Sequence, residues 1–352
     1  MKIRVLWAVC LAIVFTGSSA WAGPKWEFGE DSWMKLGFLG QVHYSFMEDA
    51  ADEHDFYLRR GRLILSGQIT DGVKFFAETD NDNAGKNGAG STKTDIQDAF
   101  VDIQLGDSSH WVQAGLILLP FSLENRSSAA SLLGLDYNVE TIKFVNTFVW
   151  RDYGTELHGT LGDRVGYHIG AFDGYDETDS IKNDDAGLRL VARVDISILG
   201  EKVPSGWFYS QNQLGQNQYL VAGAGYNHQD DATLDSTLAS PIEEDSKAWV
   251  VDFQSSLPLA QDWALLTNGA YYDWDNAVYK GGTAFVETGL MYDRFMGTVK
   301  WSAQDRDHHD AVRDYTIGFH YFMDRKHNLR AGAEYRLGDS SDWLLVGLQF
   351  LL

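Results

Sequence analysis

The chain is short of cysteine, proline and basic residues, and each shortage removes a class of answers. Its single cysteine, Cys10, lies in an apolar run, VLWAVCLAIVF, preceded by Lys2 and Arg4 and followed by Ala20-Trp21-Ala22. A basic start, a short apolar run and an A-x-A site predict a secretory signal peptide over residues 1–22. The run is well short of the ~20 residues of a membrane anchor. Residues 23–352 then hold no cysteine, which excludes disulfide frameworks, thiolate metal sites and cysteine nucleophiles. The full chain has 28 Lys and Arg against 50 Asp and Glu. Without Lys2 and Arg4 the balance is 26 to 50, a net charge of −24. A chain this acidic repels a polyphosphate backbone, so no nucleic-acid partner is expected. No second apolar stretch has the length of a transmembrane helix. Only 5 prolines, with aromatics at 13%, argue against disorder.

What is present is alternation with period two, the mark of strands with two different faces. Met34, Leu36, Phe38, Val42, Tyr44 and Phe46 alternate with Lys35, Gln41, His43 and Ser45. Leu329, Ala331, Ala333, Tyr335 and Leu337 alternate with Asn328, Arg330, Glu334 and Arg336, and the chain ends on Leu344, Val346, Leu348, Phe350 and Leu352 in the same phase. Charges sit deep within strands, as Arg189, Arg193 and Asp195 do in LRLVARVDI. Short turns (Thr70-Asp71-Gly72, 106–109, Gly162-Asp163, 292–295, 324–326) alternate with longer acidic loops (48–55, 81–93, 174–184, 230–245, 305–310). These features predict an all-β fold, a transmembrane antiparallel β-barrel of about 16 strands occupying residues 23–352. Lys202 to Gln216 makes one unusually long periplasmic connection. Trp111, Trp150, Trp249, Trp263, Trp274, Trp301 and Trp343 are expected near strand ends or on the outer face, as aromatic girdles. A barrel of this size leaves an aqueous channel.

One stretch breaks the pattern. From Leu118, LLPFSLENRSSAASLLGLDY opens a gap of about 30 residues without alternation, far beyond an ordinary loop.

Phe56-Tyr57-Leu58-Arg59-Arg60-Gly61-Arg62-Leu63 resembles the arginine-rich second strand of the phosphate-selective porin O and P family. Asp98-Ala99-Phe100-Val101 resembles that family's next strand motif. Pro120-Phe121-Ser122-Leu123-Glu124-Asn125 with Ser127-Ser128 is similar to its entry into the third extracellular loop. Tyr153 to Gly159 and Gly170 to Gly174 resemble the following hairpin. The resemblance runs from Phe56 to Gly174. It implies that residues 120–150 form a third loop folded into the lumen, a constriction, and that the barrel is a homotrimer. Ser131 to Tyr137 departs from the family's usual aromatic and acidic continuation, and the chain ends on Leu352 rather than on an aromatic.

The expected function is passive diffusion of small hydrophilic solutes or ions across the outer membrane of a Gram-negative bacterium, with phosphate or other oxyanions as candidate solutes. The pore-lining candidates are Arg60, Arg62, Glu124, Arg126, Asp136, Glu140, Lys143, Arg189 and Arg193. Arg60 with Arg62 and Arg189 with Arg193 form the basic pairs from which an oxyanion ladder would be built, because oxyanions want converging guanidinium donors. Acids on the same face nearly cancel the bases: Glu78, Asp80, Asp98, Asp102, Glu156, Asp252, Glu287, Asp314 and Glu334 against Lys74, Lys300, Arg330, Arg336 and the four arginines. Cross-strand pairing would consume those arginines and leave a cation-preferring or general pore.

Other classes are less well supported. A barrel hydrolase would need a nucleophile beside a histidine, and His158, His168, Glu156 and Ser127 are the only candidates without any nucleophile motif. A non-conducting barrel, serving as receptor or sheath for a partner, lacks a distinguishing motif. Thr79 to Gly85 resembles the start of a calcium loop, but Ala84 replaces an oxygen ligand and no glutamate closes it. No cofactor, metal site or catalytic residue is expected. Membrane lipid and lipopolysaccharide are the expected surroundings.

Overall fold

The computed structural model describes residues 23–47, 53–88, 93–175, 186–200, 206–234, 242–339 and 342–352. The expected signal peptide lies outside them. Among the described residues no helix is long and apolar enough to cross a membrane; the crossing is made by strands.

After a short strand β1 (Lys25–Glu27), sixteen long strands follow. The first eight are β2 (Trp33–Met47), β3 (His54–Thr70), β4 (Val73–Asp80), β5 (Asp95–Gln104), β6 (His110–Leu118), β7 (Arg151–Leu161), β8 (Val165–Phe172) and β9 (Arg189–Leu199). The second eight are β10 (Tyr219–Leu234), β11 (Ile242–Ala260), β12 (Trp263–Asp275), β13 (Lys280–Tyr292), β14 (Phe295–Arg306), β15 (Val312–Phe322), β16 (Leu329–Gly338) and β17 (Trp343–Leu351). Each pairs antiparallel with its neighbour in sequence, and β17 pairs with β2 from Trp343↔Met47 to Leu351↔Leu39. The sheet therefore closes into a 16-stranded barrel with no edge, which is what lets a β-structure survive in lipid.

The alternation in the sequence translates directly into inside and outside. Ile317 and Phe319 are exposed on the outer face of β15, while Asp314, Thr316 and His320 are buried between them. On β16, Tyr335 and Leu337 face out, and Arg330 and Glu334 face in. Turns at 70–73 and 292–295 are tight. Gly72 takes φ +70 in the first, a conformation that a side chain resists.

Three features depart from regular alternation. The register of β2 and β3 shifts between Gln41 and Val42, so that Gln41 opposes Arg60 and Val42 opposes Leu58. Arg59 is the extra residue of this β-bulge, and the bulge turns Arg59 and Arg60 to the same side. Second, Trp249 and Trp263 lie on the outer face as expected, but Trp274 is buried inside against Phe121, Phe148 and Tyr272. Trp150 likewise turns inward onto Tyr137, and Trp343 onto Arg336. They lie inside because part of the inner wall is apolar and carries the long loop, so girdle position alone does not assign a tryptophan. Third, residues 206–216, the described part of the connection between β9 and β10, turn into the lumen, where Trp207 donates to Asp102 and Tyr209 to Asp195.

Candidate functional site in the barrel lumen

The segment after β6 is shaped by local signals. Ser122 caps α1 (Leu123–Arg126): its hydroxyl accepts the Asn125 N–H, and the Asn125 side chain accepts the Ser122 N–H. Asn125 also donates to the carbonyls of Leu119 and Val149, tying the two ends of the loop together. A longer helix, α2 (Val139–Phe148), starts where the Asn138 N–H donates to Glu124 Oε1 at 3.0 Å. Its apolar side, Val145 and Phe148, packs with Phe121 on Tyr272, Trp274 and Phe285 of the inner wall. Burial of this kind stabilises by roughly 1.5–3 kcal/mol per large side chain.

Polar contacts hold the same segment to walls on several sides. The Leu123 N–H donates to Asp252 Oδ2 at 2.8 Å, and Arg193 reaches both Asp252 and the Phe121 carbonyl. The Arg330 guanidinium donates to the carbonyls of Leu132 and Leu133. Gln41 and Gln349 donate to those of Ala129 and Ala130. Wall glycines make the approach possible: a Cβ on Gly225 would lie 2.0 Å from the Phe121 carbonyl oxygen.

The candidate residues fall inside the lumen, and the arginines among them are paired with acids. Arg60 Nη2 meets Asp136 Oδ1 at 2.9 Å, and Arg59 from the bulge holds both oxygens of the same carboxylate. Burial pushes the Asp136 carboxyl up, but Arg59 and Arg60 more than reverse this and hold it well below the usual carboxylate range. Arg62 pairs with Glu78 and Asp80, Arg189 with Asp152, and Arg193 with Asp195 and Asp252. Arg126 lies 3.6 Å from Glu156, and Lys143 caps Glu140, which also accepts from Arg336. Glu124 is fully buried and accepts from Thr141 Oγ1 at 2.7 Å. Burial pushes its carboxyl up to about 8. Ser127, a conceivable nucleophile, donates its hydroxyl to the Leu123 carbonyl, away from any histidine.

Alternation alone misses Arg59 and Arg151. Arg59 faces in only because of the bulge, and Arg151, at the exit of the loop, pairs with Asp98 at 2.8 Å. It also misses the inward segment 206–216. There, Trp207 packs on Phe76 and Phe100 and donates to Asp102, and Tyr209 donates to Asp195. Tyr209 also pairs through its backbone with the first loop: its N–H donates to the Arg126 carbonyl and its carbonyl accepts the Ser128 N–H. The signal for this was visible as aromatic residues in a long periplasmic connection, GWFYSQNQLGQ.

Among the cavities beside the inward segments are one of about 100 Å³ and one of about 120 Å³. One is bordered by Arg59, Asp136, Lys300, Asp314, Glu334 and Arg336, the other by Arg62, Glu78, Arg151 and Phe208; only Tyr137 borders both.

A closed 16-stranded barrel, apolar outside and charged inside, is the architecture of the outer-membrane porins. The sequence profile of phosphate-selective porin O and P matches residues 37–253, more than half of the chain, and the chain belongs to that family. The fold is shared with OmpT of Vibrio cholerae lacking loop L8 (TM-score 0.60, 12% identity, covering 92% of this chain and 100% of that one). It is shared also with the outer membrane channel DcaP of Acinetobacter baumannii (0.59, 14%, 94% and 100%) and with a mutant of Rh. blastica porin (0.57, 14%, 91% and 100%). No curated protein matches the chain in sequence.

Proposed function

We propose that the protein is a general diffusion porin for small hydrophilic solutes, constricted by residues 120–150, with a weak preference for cations over anions. One observation carries this reading. Arg60, Arg62, Arg189 and Arg193, the residues from which an oxyanion ladder would be built, each hold a carboxylate already. A phosphate entering this lumen would have to displace buried carboxylates from charge-assisted bonds, at a cost that screened surface pairs do not present. Two further acids on the wall are held by groups other than Lys and Arg: Asp102 by His158 and Trp207, and Glu287 by Asn268. Against these stands Arg330, held by carbonyls and His320, but the lumen acids named above still outnumber the bases, so the residual field is weakly negative, which favours cations.

We take the cavity beside Asp136 as the route of small solutes through the lumen. A trimer form is recorded for OmpT, which shares the fold, and we infer that this chain also assembles as a homotrimer. The test of the selectivity is the reversal potential of the refolded protein in a planar bilayer under a potassium chloride gradient. A modest potassium preference that millimolar phosphate does not block is expected. Chloride preference abolished by phosphate would refute it.

A further inference from the structure

One cluster on the inner wall has a feature beyond the hold of His158 on Asp102. Glu156 and His158 lie two residues apart on one face of β7, and His168 lies directly across from His158 on β8. The two imidazoles stack at 5.5 Å with planes 12° apart. One ligating atom from each of Glu156, His158 and His168 lies within 4.8 Å of the other two.

Each histidine is oriented by another group. His158 Nε2 meets Asp102 Oδ1 at 3.0 Å, and the second Asp102 oxygen accepts from Trp207 Nε1 at 2.8 Å. A carboxylate there keeps the proton on Nε2 and leaves the Nδ1 lone pair of His158 for a ligand. Around His168 the protons do not suffice. A chain of three contacts runs from Glu156 Oε1 to His168 Nδ1 (2.7 Å), from His168 Nε2 to the Tyr209 hydroxyl (3.2 Å), and from that hydroxyl to Asp195 Oδ2 (2.7 Å). Two carboxylates end this chain, so three contacts need three protons. A neutral imidazole and a phenol supply two. With the Tyr209 hydroxyl donating to Asp195, a neutral His168 can donate to Glu156 or to Tyr209 but not to both; in the tautomer with its proton on Nε2, the bare Nδ1 faces a carboxylate oxygen at 2.7 Å, the place a cation would fill. The other oxygen, Glu156 Oε2, is buried without a hydrogen-bond partner, with Arg126 at 3.6 Å.

We propose that Glu156, His158 and His168 form a binding site for a divalent first-row transition metal, for which Zn²⁺ is the probe. Two imidazoles and one carboxylate suit zinc, whereas Mg²⁺ and Ca²⁺ prefer all-oxygen shells. Zinc bonds of ~2.0–2.1 Å require the three ligating atoms to close in from their present spacing. Three protein ligands leave a fourth position open to the lumen, on the side where His158 is partly exposed. The competing occupant is a second proton on His168, which would satisfy the same count without metal.

The experiment is equilibrium binding of Zn²⁺ to the refolded full barrel in detergent, by titration calorimetry, with the heat-modifiable gel shift of the barrel confirming folding of every variant. One zinc per chain at micromolar affinity is expected, with at least a tenfold loss in His158→Ala and again in His168→Ala. His308→Ala combined with His309→Ala should leave the affinity unchanged, since those residues lie on an external loop. Co²⁺ in place of zinc should give the intense visible bands of a tetrahedral site, lost in His158→Ala. Absence of stoichiometric zinc binding, or full affinity in folded His158→Ala and His168→Ala, would overturn the proposal and assign the missing charge to a proton. The outcome does not depend on whether the pore prefers cations or anions.

Discussion

Asp136→Asn is the perturbation that most directly tests how the lumen handles charge. Asp136 compensates two arginines at once, Arg59 and Arg60, at the border of one of the two cavities. Asparagine has the same shape and can still accept the Tyr137 N–H, which Asp136 Oδ1 takes at 3.0 Å. Its charge is gone, however. Arg60 then keeps only Gln41 Oε1, at 2.7 Å, and Arg59 keeps Asp82 at the outer rim. About one uncompensated positive charge is exposed beside Lys300 and Arg336. A unit charge ~6 Å from a passing ion contributes roughly 1–3 kcal/mol at effective dielectrics between water and protein surface. Screening near 0.1 M salt brings this towards ~1 kcal/mol, about a fivefold change in relative permeability. The reversal potential of the folded variant under a potassium chloride gradient should therefore move towards chloride by that factor, and the shift should shrink at 1 M salt. An unchanged reversal potential in a variant that folds and conducts would mean that ions do not pass Asp136, and the route beside it would be wrong.

Three further predictions follow from the same packing. Burial pushes the Glu124 carboxyl up to about 8 from its ordinary value of about 4.5, so the folded state should hold an extra proton between those values. Stability from this group is full below pH 4.5 and declines as pH rises through 8; thermal melts of Glu124→Gln should lose that decline and exceed the wild type at pH 9. Gly225→Ala would place a methyl against the Phe121 carbonyl and should cost about 1–3 kcal/mol of loop docking, seen as faster proteolysis of the loop between β6 and β7. Replacing residues 206–216 by a short Gly-Ser turn should raise single-channel conductance, because Trp207 and Tyr209 fill the lumen beneath the first loop; unaltered conductance would show that they lie outside the ion path.

The barrel was legible because period two repeats in strand after strand, and each repeat reports the same two solvents. Arg60, Arg62, Arg189 and Arg193 could be placed inside from phase alone. Their partners could not, since Asp136 reaches Arg60 across 76 residues of chain and Arg59 across 77, and only through the fold of the loop. Arg59 was hidden by a bulge that no propensity announces. Trp274 was misplaced because an inner wall beneath a docked loop is as apolar as an outer one. Segment 206–216 carries no alternation that would distinguish an inward plug from a plain connection; only its aromatic residues mark it. Glu156, His158 and His168 were each visible, but their convergence depends on the pairing of β7 with β8.

The contacts at Gln41 and Gln349 bear on the order of assembly. These two residues oppose each other across the seam between β2 and β17, where the first and last barrel strands meet, and their side chains bond at 2.7 Å. Each also donates to a carbonyl of the inward loop, at Ala129 and at Ala130. The two halves of that clasp are complete only when the sheet has become a cylinder. Seating of the loop and joining of the ends are therefore one cooperative event. Until β17 arrives, half of the clasp on Ala129 and Ala130 is missing, so a chain interrupted before its last strand would carry a less securely held loop as well as an open seam.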